Sequence, residues 1–161
     1  MNRGSASRRS DADASGPEHF VLELPSDLRV IEAAVGYLVG RCRAASFQGP
    51  RLDLNFRVGV TEALANAVLY GNARDPRKTV KVEVSLEPNR VVVSVADEGT
   101  GFDPGSIPDP TRPENLHAAG GRGLFLIRNL MDEMQYNERG NALRMVLLRE
   151  VPPSRTGRAS G

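Results

Sequence analysis

The sequence predicts an α+β domain: a two-layer sandwich whose mixed, mostly antiparallel sheet carries helices on one face. Three observations support this. Segments of period-two and helical apolar spacing follow one another in the order β-α-α-β-β-loop-α-β-β, without the strict βαβα alternation of a doubly wound sheet. Apolar residues make up 40% of the 161, enough for one core in a chain of ordinary domain length. The composition shifts at both ends. Residues 1–17 and 152–161 are small, polar and aperiodic, and read as disordered tails around a folded domain at 18–151.

The first strand is HFVLEL (19–24), which alternates and is stopped by Pro25. Ser26 or Asp27 can cap the helix that follows. Leu28, Ile31, Val35, Leu38, Val39 and Cys42 recur there at helical spacing to about residue 45. Cys42 lies on that stripe and reads as a small core residue. A second helix runs from about Leu52 to Leu69 on Phe56, Val60, Ala63, Leu64 and Ala67, and gives way to the turn formers of YGNARDPRK. TVKVEVSLE (79–87) and RVVVSVAD (90–97) make a hairpin about Pro88-Asn89, which is not the favoured Asn-Gly turn. Residues 98–120 have no period and are rich in Gly, Pro and Asp. Within them, Pro104, Pro108, Pro110 and Pro113 forbid a continuous strand or helix. So long a stretch inside a compact domain reads as a lid. A helix at 123–134 and a closing hairpin from QYNE to ALRMVLLRE complete the order.

Charge and composition exclude several function classes. The 21 basic and 20 acidic side chains leave a net charge of +1, which gives no basis for nucleic-acid or anionic-membrane binding. No apolar run approaches the ~20 residues that span a bilayer, and the N-terminus lacks the apolar core of a signal peptide. One cysteine cannot form an internal disulfide, and His19 and His117 are the only histidines, so a Cys/His metal cluster is out. The expectation is a cytoplasmic protein with neither nucleic acid nor membrane as a direct partner.

Three stretches carry chemistry. In VTEALANAVLYGN (60–72), Glu62 and Asn66 stand four apart and project from adjacent turns. Glu62 lies about 200° from Val60, away from the apolar stripe. The pair reads either as a solvated polar face, or as a carboxylate and amide able to hold Mg²⁺ with the carboxylate free as a base. In VSVADEGTGFDPG (93–105), Asp97 ends an alternating strand. Either Asp97, Gly99 and Gly101 form a simple turn, or the carboxylate accepts from an exocyclic amine while the glycines let a ring approach. In AAGGRGLFLIRNL (118–130), Gly120, Gly121 and Gly123 lead into a helix. Such an entry presents free N–H groups to a phosphate, and Arg122 adds a fixed charge. The spacing is neither the dinucleotide fingerprint nor a Walker A loop. Taken in order, the stretches supply the parts of an ATP site.

That ordered set resembles the Bergerat-type ATP-binding fold of gyrases, Hsp90-type chaperones, sensor histidine kinases and MutL-type repair proteins. Within it, the sequence is most similar to the anti-sigma-factor serine kinases. TEALANAVLYGN matches their E-A-x-x-N-A-x-x-x-G pattern, and DEGTGFDP and GRGLFLIRNLMDE are close to their form. The match spans roughly residues 20–150. Tyr70 stands where many relatives carry His, and Asn141 where Thr is common. The resemblance implies that Asn66 coordinates Mg²⁺ on the ATP phosphates and that Glu62 is the general base for a protein serine hydroxyl. It implies further that Asp97 reads the adenine amino group, with Gly99 and Gly101 against the ring. Gly121, Arg122, Gly123 and Leu124 would then lie along the phosphates, under a lid drawn from residues 103–120.

The implied function is that of an ATP-dependent protein-serine kinase acting as an anti-sigma factor. It would phosphorylate an anti-anti-sigma protein and sequester a sigma factor, with ATP and Mg²⁺ as cofactors; a homodimer is left open. Two other readings stay open: a non-catalytic ATP-binding anti-sigma protein, and a detached phosphorelay kinase domain. Neither His19 on its strand nor His117 in the loop offers the phosphoacceptor helix of a complete sensor kinase.

Overall fold

A computed structural model describes residues 17–101 and 121–150. The expected tails, except Pro17, and the expected lid lie outside the described residues, as do Gly120 and His117. The elements come in the predicted order: β1 (Glu18–Pro25), α1 (Ile31–Ala44), α2 (Arg57–Asn66), β2 (Thr79–Leu86), β3 (Arg90–Asp97), α3 (Gly121–Leu130), β4 (Glu133–Tyr136) and β5 (Ala142–Leu148). The five strands form one sheet in the order β1-β2-β3-β5-β4. Every pairing is antiparallel, which resolves the expected mixed sheet into an antiparallel one among the described residues.

Alternation decides which face is covered. Val80, Val82, Val84 and Leu86 on β2, Val91, Val93 and Val95 on β3, and Leu143, Met145 and Leu147 on β5 are all buried. They share one core with Leu38 and Cys42 of α1, Phe56, Val60 and Leu64 around α2, and Ile127 of α3. One apolar face of the sheet therefore meets the apolar stripes of three helices, the two-layer solution for such patterning. Burial pushes the Cys42 thiol up to about 12, as expected of a core residue rather than a reactive one.

Two details differ from the sequence expectation, and a third settles an alternative it left open. Leu28 is 45% exposed. It sits in a tight 3₁₀ turn, Leu28–Val30, whose three-residue period takes it off the α1 stripe. The cap is Asp27, whose Oδ1 accepts the Arg29 N–H at 2.8 Å, while Ser26 is buried. The third helix ends at Leu130 rather than Met134. There the Asp132 N–H donates to Val146 O at 2.9 Å and the Asp132 carboxylate accepts the Leu148 N–H at 2.7 Å, so the sheet takes the chain over.

The second helix is longer than α2 proper. Wide turns extend it at both ends, through Arg51–Phe56 before and Ala67–Gly71 after. In the last of these the Asn72 N–H reaches back five residues to Ala67 O at 2.7 Å. The chain then reverses through Ala73 and Arg74, at φ 49° and 61°. These are left-handed conformations that cost a residue with a Cβ about 1–2 kcal/mol each.

Candidate functional site

The polar side of α2 faces the first turn of α3. Glu62 and Asn66 are both half-buried. A Cβ added to Gly123 would stand 2.9 Å from Glu62 Oε2, 3.1 Å from Asn66 Nδ2 and 3.3 Å from Asn66 Oδ1. Only a glycine lets α3 begin this close to the pair without moving the carboxylate. Gly121 and Gly123 are buried in that turn, and Arg122 is exposed beside them. Leu124 packs into the core, so only its backbone is available to a ligand here. Lower on the same face of α2, a Cβ on Gly59 would stand 3.1 Å from Sδ of Met131, the residue just after α3.

Further along the same helix, beyond the wide turn Ala67–Gly71, its end meets the end of β3. A Cβ on Gly71 would lie 2.1 Å from Asp97 Oδ2, and one on Gly99 only 2.0 Å from Gly71 O. Asp97 Oδ1 accepts the Gly99 N–H at 2.8 Å. Burial holds the Asp97 carboxyl above the ordinary carboxylate range, opposed by the Gly99 N–H and by the charge of Lys78. The Tyr136 hydroxyl is pushed up to about 12, mainly by burial and then by the Asp97 carboxylate. Asp97 is therefore a partly desolvated acceptor, able to take a hydrogen bond from a neutral N–H₂ group. Gly101 has φ 78°, and a Cβ there would lie 1.9 Å from Arg139 O. Among the described residues, protein backbone makes the close approach to Gly99 and Gly101.

The fold thus brings the sequence-selected residues into two groups along one helix. Glu62 and Asn66 meet Gly123 at one, while Gly71, Asp97 and Gly99 form the other. Of the residues in and beside these groups, Gly71 and Asn72 are not among those selected from the sequence. Gly71 was legible as the last position of the E-A-x-x-N-A-x-x-x-G pattern, but nothing local gave Asn72 a role beyond turn former. Glu98 also proves structural: its Oε2 accepts the Thr79 N–H at 2.5 Å and so closes the start of β2. Among the described residues no three His, Cys, Asp or Glu side chains cluster as they would around a metal. A cation at this site would thus take most of its ligands from a bound molecule, as Mg²⁺ does on phosphates.

A carboxylate-amide pair facing Gly123 and a desolvated acceptor facing Gly71 carry groups able to serve a nucleotide. The family comparison agrees. The model of the histidine kinase-like ATPase domain matches residues 24–147. The chain belongs to that family. ATP is the ligand this membership implies, and the first turn of α3 at Gly121 and Gly123, with the Asn66 amide beside it, suits a phosphate-bearing group. Relatives of the ATPase domain include the serine-protein kinase RsbW of Listeria innocua, 26% identical over 124 residues, which cover 73% of this chain and 78% of that protein. RsbW of Oceanobacillus iheyensis is 25% identical over 139 residues, 82% of this chain and 87% of its own. The anti-sigma F factor of Geobacillus stearothermophilus is 34% identical over 84 residues, 47% and 53% respectively. The domain is thus related, at low identity, to serine-protein kinases and to an anti-sigma factor. No helix among the described residues is long and apolar enough to cross a membrane.

Proposed function

We propose that this chain is an ATP-dependent protein-serine kinase acting as an anti-sigma factor in a partner-switching system, phosphorylating an anti-anti-sigma protein and holding a sigma factor. The observation that carries the kinase reading is Glu62, a half-buried carboxylate on the face of α2 turned to the glycine entry of α3. A protein that only bound ATP would need no base there. The names of the related kinases and anti-sigma factor support the same reading.

Each residue has a definite task in this reading. Asp97 accepts a hydrogen bond from the adenine amino group. Asn66 offers its amide oxygen to a Mg²⁺ ion carried on the phosphates; when bound, that ion neutralises charge on the transferring phosphoryl group. The backbone N–H groups of Gly121 to Leu124 and the Arg122 guanidinium face the phosphates. Glu62 accepts the proton of the incoming serine hydroxyl, whose oxygen forms the new bond to phosphorus as the bond to ADP breaks.

The test separates binding from transfer. Wild-type protein with radiolabelled ATP, Mg²⁺ and the anti-anti-sigma partner should label a serine of that partner. Glu62→Gln should bind ATP within about threefold of wild type and transfer at least about a hundredfold more slowly, the low end of general-base effects. Transfer by Glu62→Gln at the wild-type rate would contradict the assignment of the base. ATP binding by wild type without transfer would leave the non-catalytic anti-sigma protein, and label on histidine the phosphorelay domain.

A further inference from the structure

Asn72 is wholly buried, at 0% exposure, in a chain whose other buried polar side chain among the described residues is Ser26. Burying an amide is costly unless its groups are paired, and here they are. Its Nδ2 donates to Thr79 O at 2.9 Å and to Ser26 Oγ at 3.1 Å. Its Oδ1 accepts the Glu98 N–H at 2.8 Å.

The pairing has a specific form. Val80 faces Asp97 in the β2–β3 ladder, so Thr79 and Glu98 are the next residues to meet. Asn72 takes the carbonyl of one and the N–H of the other. A primary amide presents the same donor and acceptor as a peptide unit, so the side chain stands in for a backbone rung at the point where the strands part. This holds the turn after β3 against the end of the second helix, one residue from Gly71, whose Cα leaves no room for a Cβ beside the Asp97 carboxylate.

We infer that Asn72 is a positioning residue for base selection: its amide, inserted between β2 and β3, fixes the Asp97–Gly99 turn so that the Asp97 carboxylate meets an exocyclic amine. The inference rests on the ATP reading above. It goes beyond that reading by giving adenine selectivity to a residue that need not touch the nucleotide.

The probes are ATP and inosine triphosphate, which carries a carbonyl oxygen where adenine has its amine. Affinities are measured by titration calorimetry on the full chain. A lost hydrogen bond to a charged group is worth about tenfold or more in affinity, so wild type should prefer ATP by at least about that factor. In Asn72→Ala the preference should collapse to within about threefold, through weaker ATP binding with little change for inosine triphosphate. A merely structural role would lower the folded fraction and weaken both nucleotides equally, leaving the ratio intact; that result overturns the inference. Asn72→Ser, smaller and still polar, gives the same readout should the alanine variant not fold, and a retained preference there is equally contrary. Wild type that binds neither nucleotide removes the ATP reading and this inference together. Wild type that discriminates alongside an equally discriminating Asn72 variant removes this inference alone.

Discussion

Asp97 sits in an environment that disfavours its charge, and the sign of that effect on stability can be worked out. Burial raises its pKa in the folded protein, so the folded state keeps the proton to higher pH than the unfolded chain. As pH rises from the unfolded value of about 3.9 through the folded one, the unfolded state binds fewer protons and stability falls. Above that window the ionised carboxylate is a standing cost, and below it the cost is gone. Asp97→Asn, whose Oδ1 can still accept the Gly99 N–H, should therefore be at least as stable as wild type in urea unfolding at pH 7, without nucleotide. Its advantage should shrink toward pH 4, and lower stability at pH 7 would contradict this account. The same substitution should damage ATP binding far more than Glu98→Gln, since Glu98 is spent on Thr79. Both acids were visible side by side in the sequence. Only the structure separates their work, because it shows which of them turns back to β2.

At the scale of elements, the contact between α2 and α3 decides the geometry of the end of the site proposed for the phosphates. Alanine is the better helix former by about 0.8–1 kcal/mol. Gly123→Ala should therefore leave stability unchanged or slightly raised, because the nearest obstacle is the flexible end of Glu62 at 2.9 Å. The cost falls on function, since the displaced carboxylate can no longer serve the incoming hydroxyl. Phosphoryl transfer should drop at least about tenfold, and full transfer by Gly123→Ala would mean that Glu62 need not occupy its observed place. The elements themselves were legible because period two and helical spacing are strong signals here, as in Val91, Val93 and Val95 or Phe56, Val60 and Leu64. What escaped has local causes. The 3.6-residue rule cannot anticipate a wide turn such as the one closed by the Asn72 N–H on Ala67 O, and that turn carries Asn72 inward. The apolar run of α3 continues as Met131 and Met134, so its period does not reveal that Asp132 and Glu133 already pair with β5.

Across the whole molecule, the two ends of the sheet do different work. Asp97 and the glycines occupy one end, and Arg149 closes the other. Its guanidinium lies 3.8 Å over the Phe47 ring and donates to Ala45 O at 2.9 Å, Ser46 O at 2.6 Å and Pro88 O at 2.8 Å. It thereby ties the exit of α1 to the β2–β3 turn. Arg149→Ala should cost about 2–4 kcal/mol in urea unfolding, from charged hydrogen bonds and the ring contact, while leaving ATP affinity within about threefold. A large loss of affinity in that variant would mean that the two ends are coupled. Nothing in the closing residues LLRE marked this arginine, because its partners lie about 60 and 100 residues earlier in the chain. The candidate site could be proposed from sequence for the opposite reason: its residues fall in three short local motifs whose order survives in sequence. The central claim is that these motifs fold into one adenine-reading ATP site, and titration of the full chain with Mg-ATP, monitored by thermal unfolding, tests it most directly. At about 100 times the wild-type dissociation constant, wild type should gain about 2.7 kcal/mol and Asp97→Asn, at least about tenfold weaker, no more than about 1.4 kcal/mol. Equal stabilisation of both proteins, or none of wild type at millimolar Mg-ATP, would contradict it.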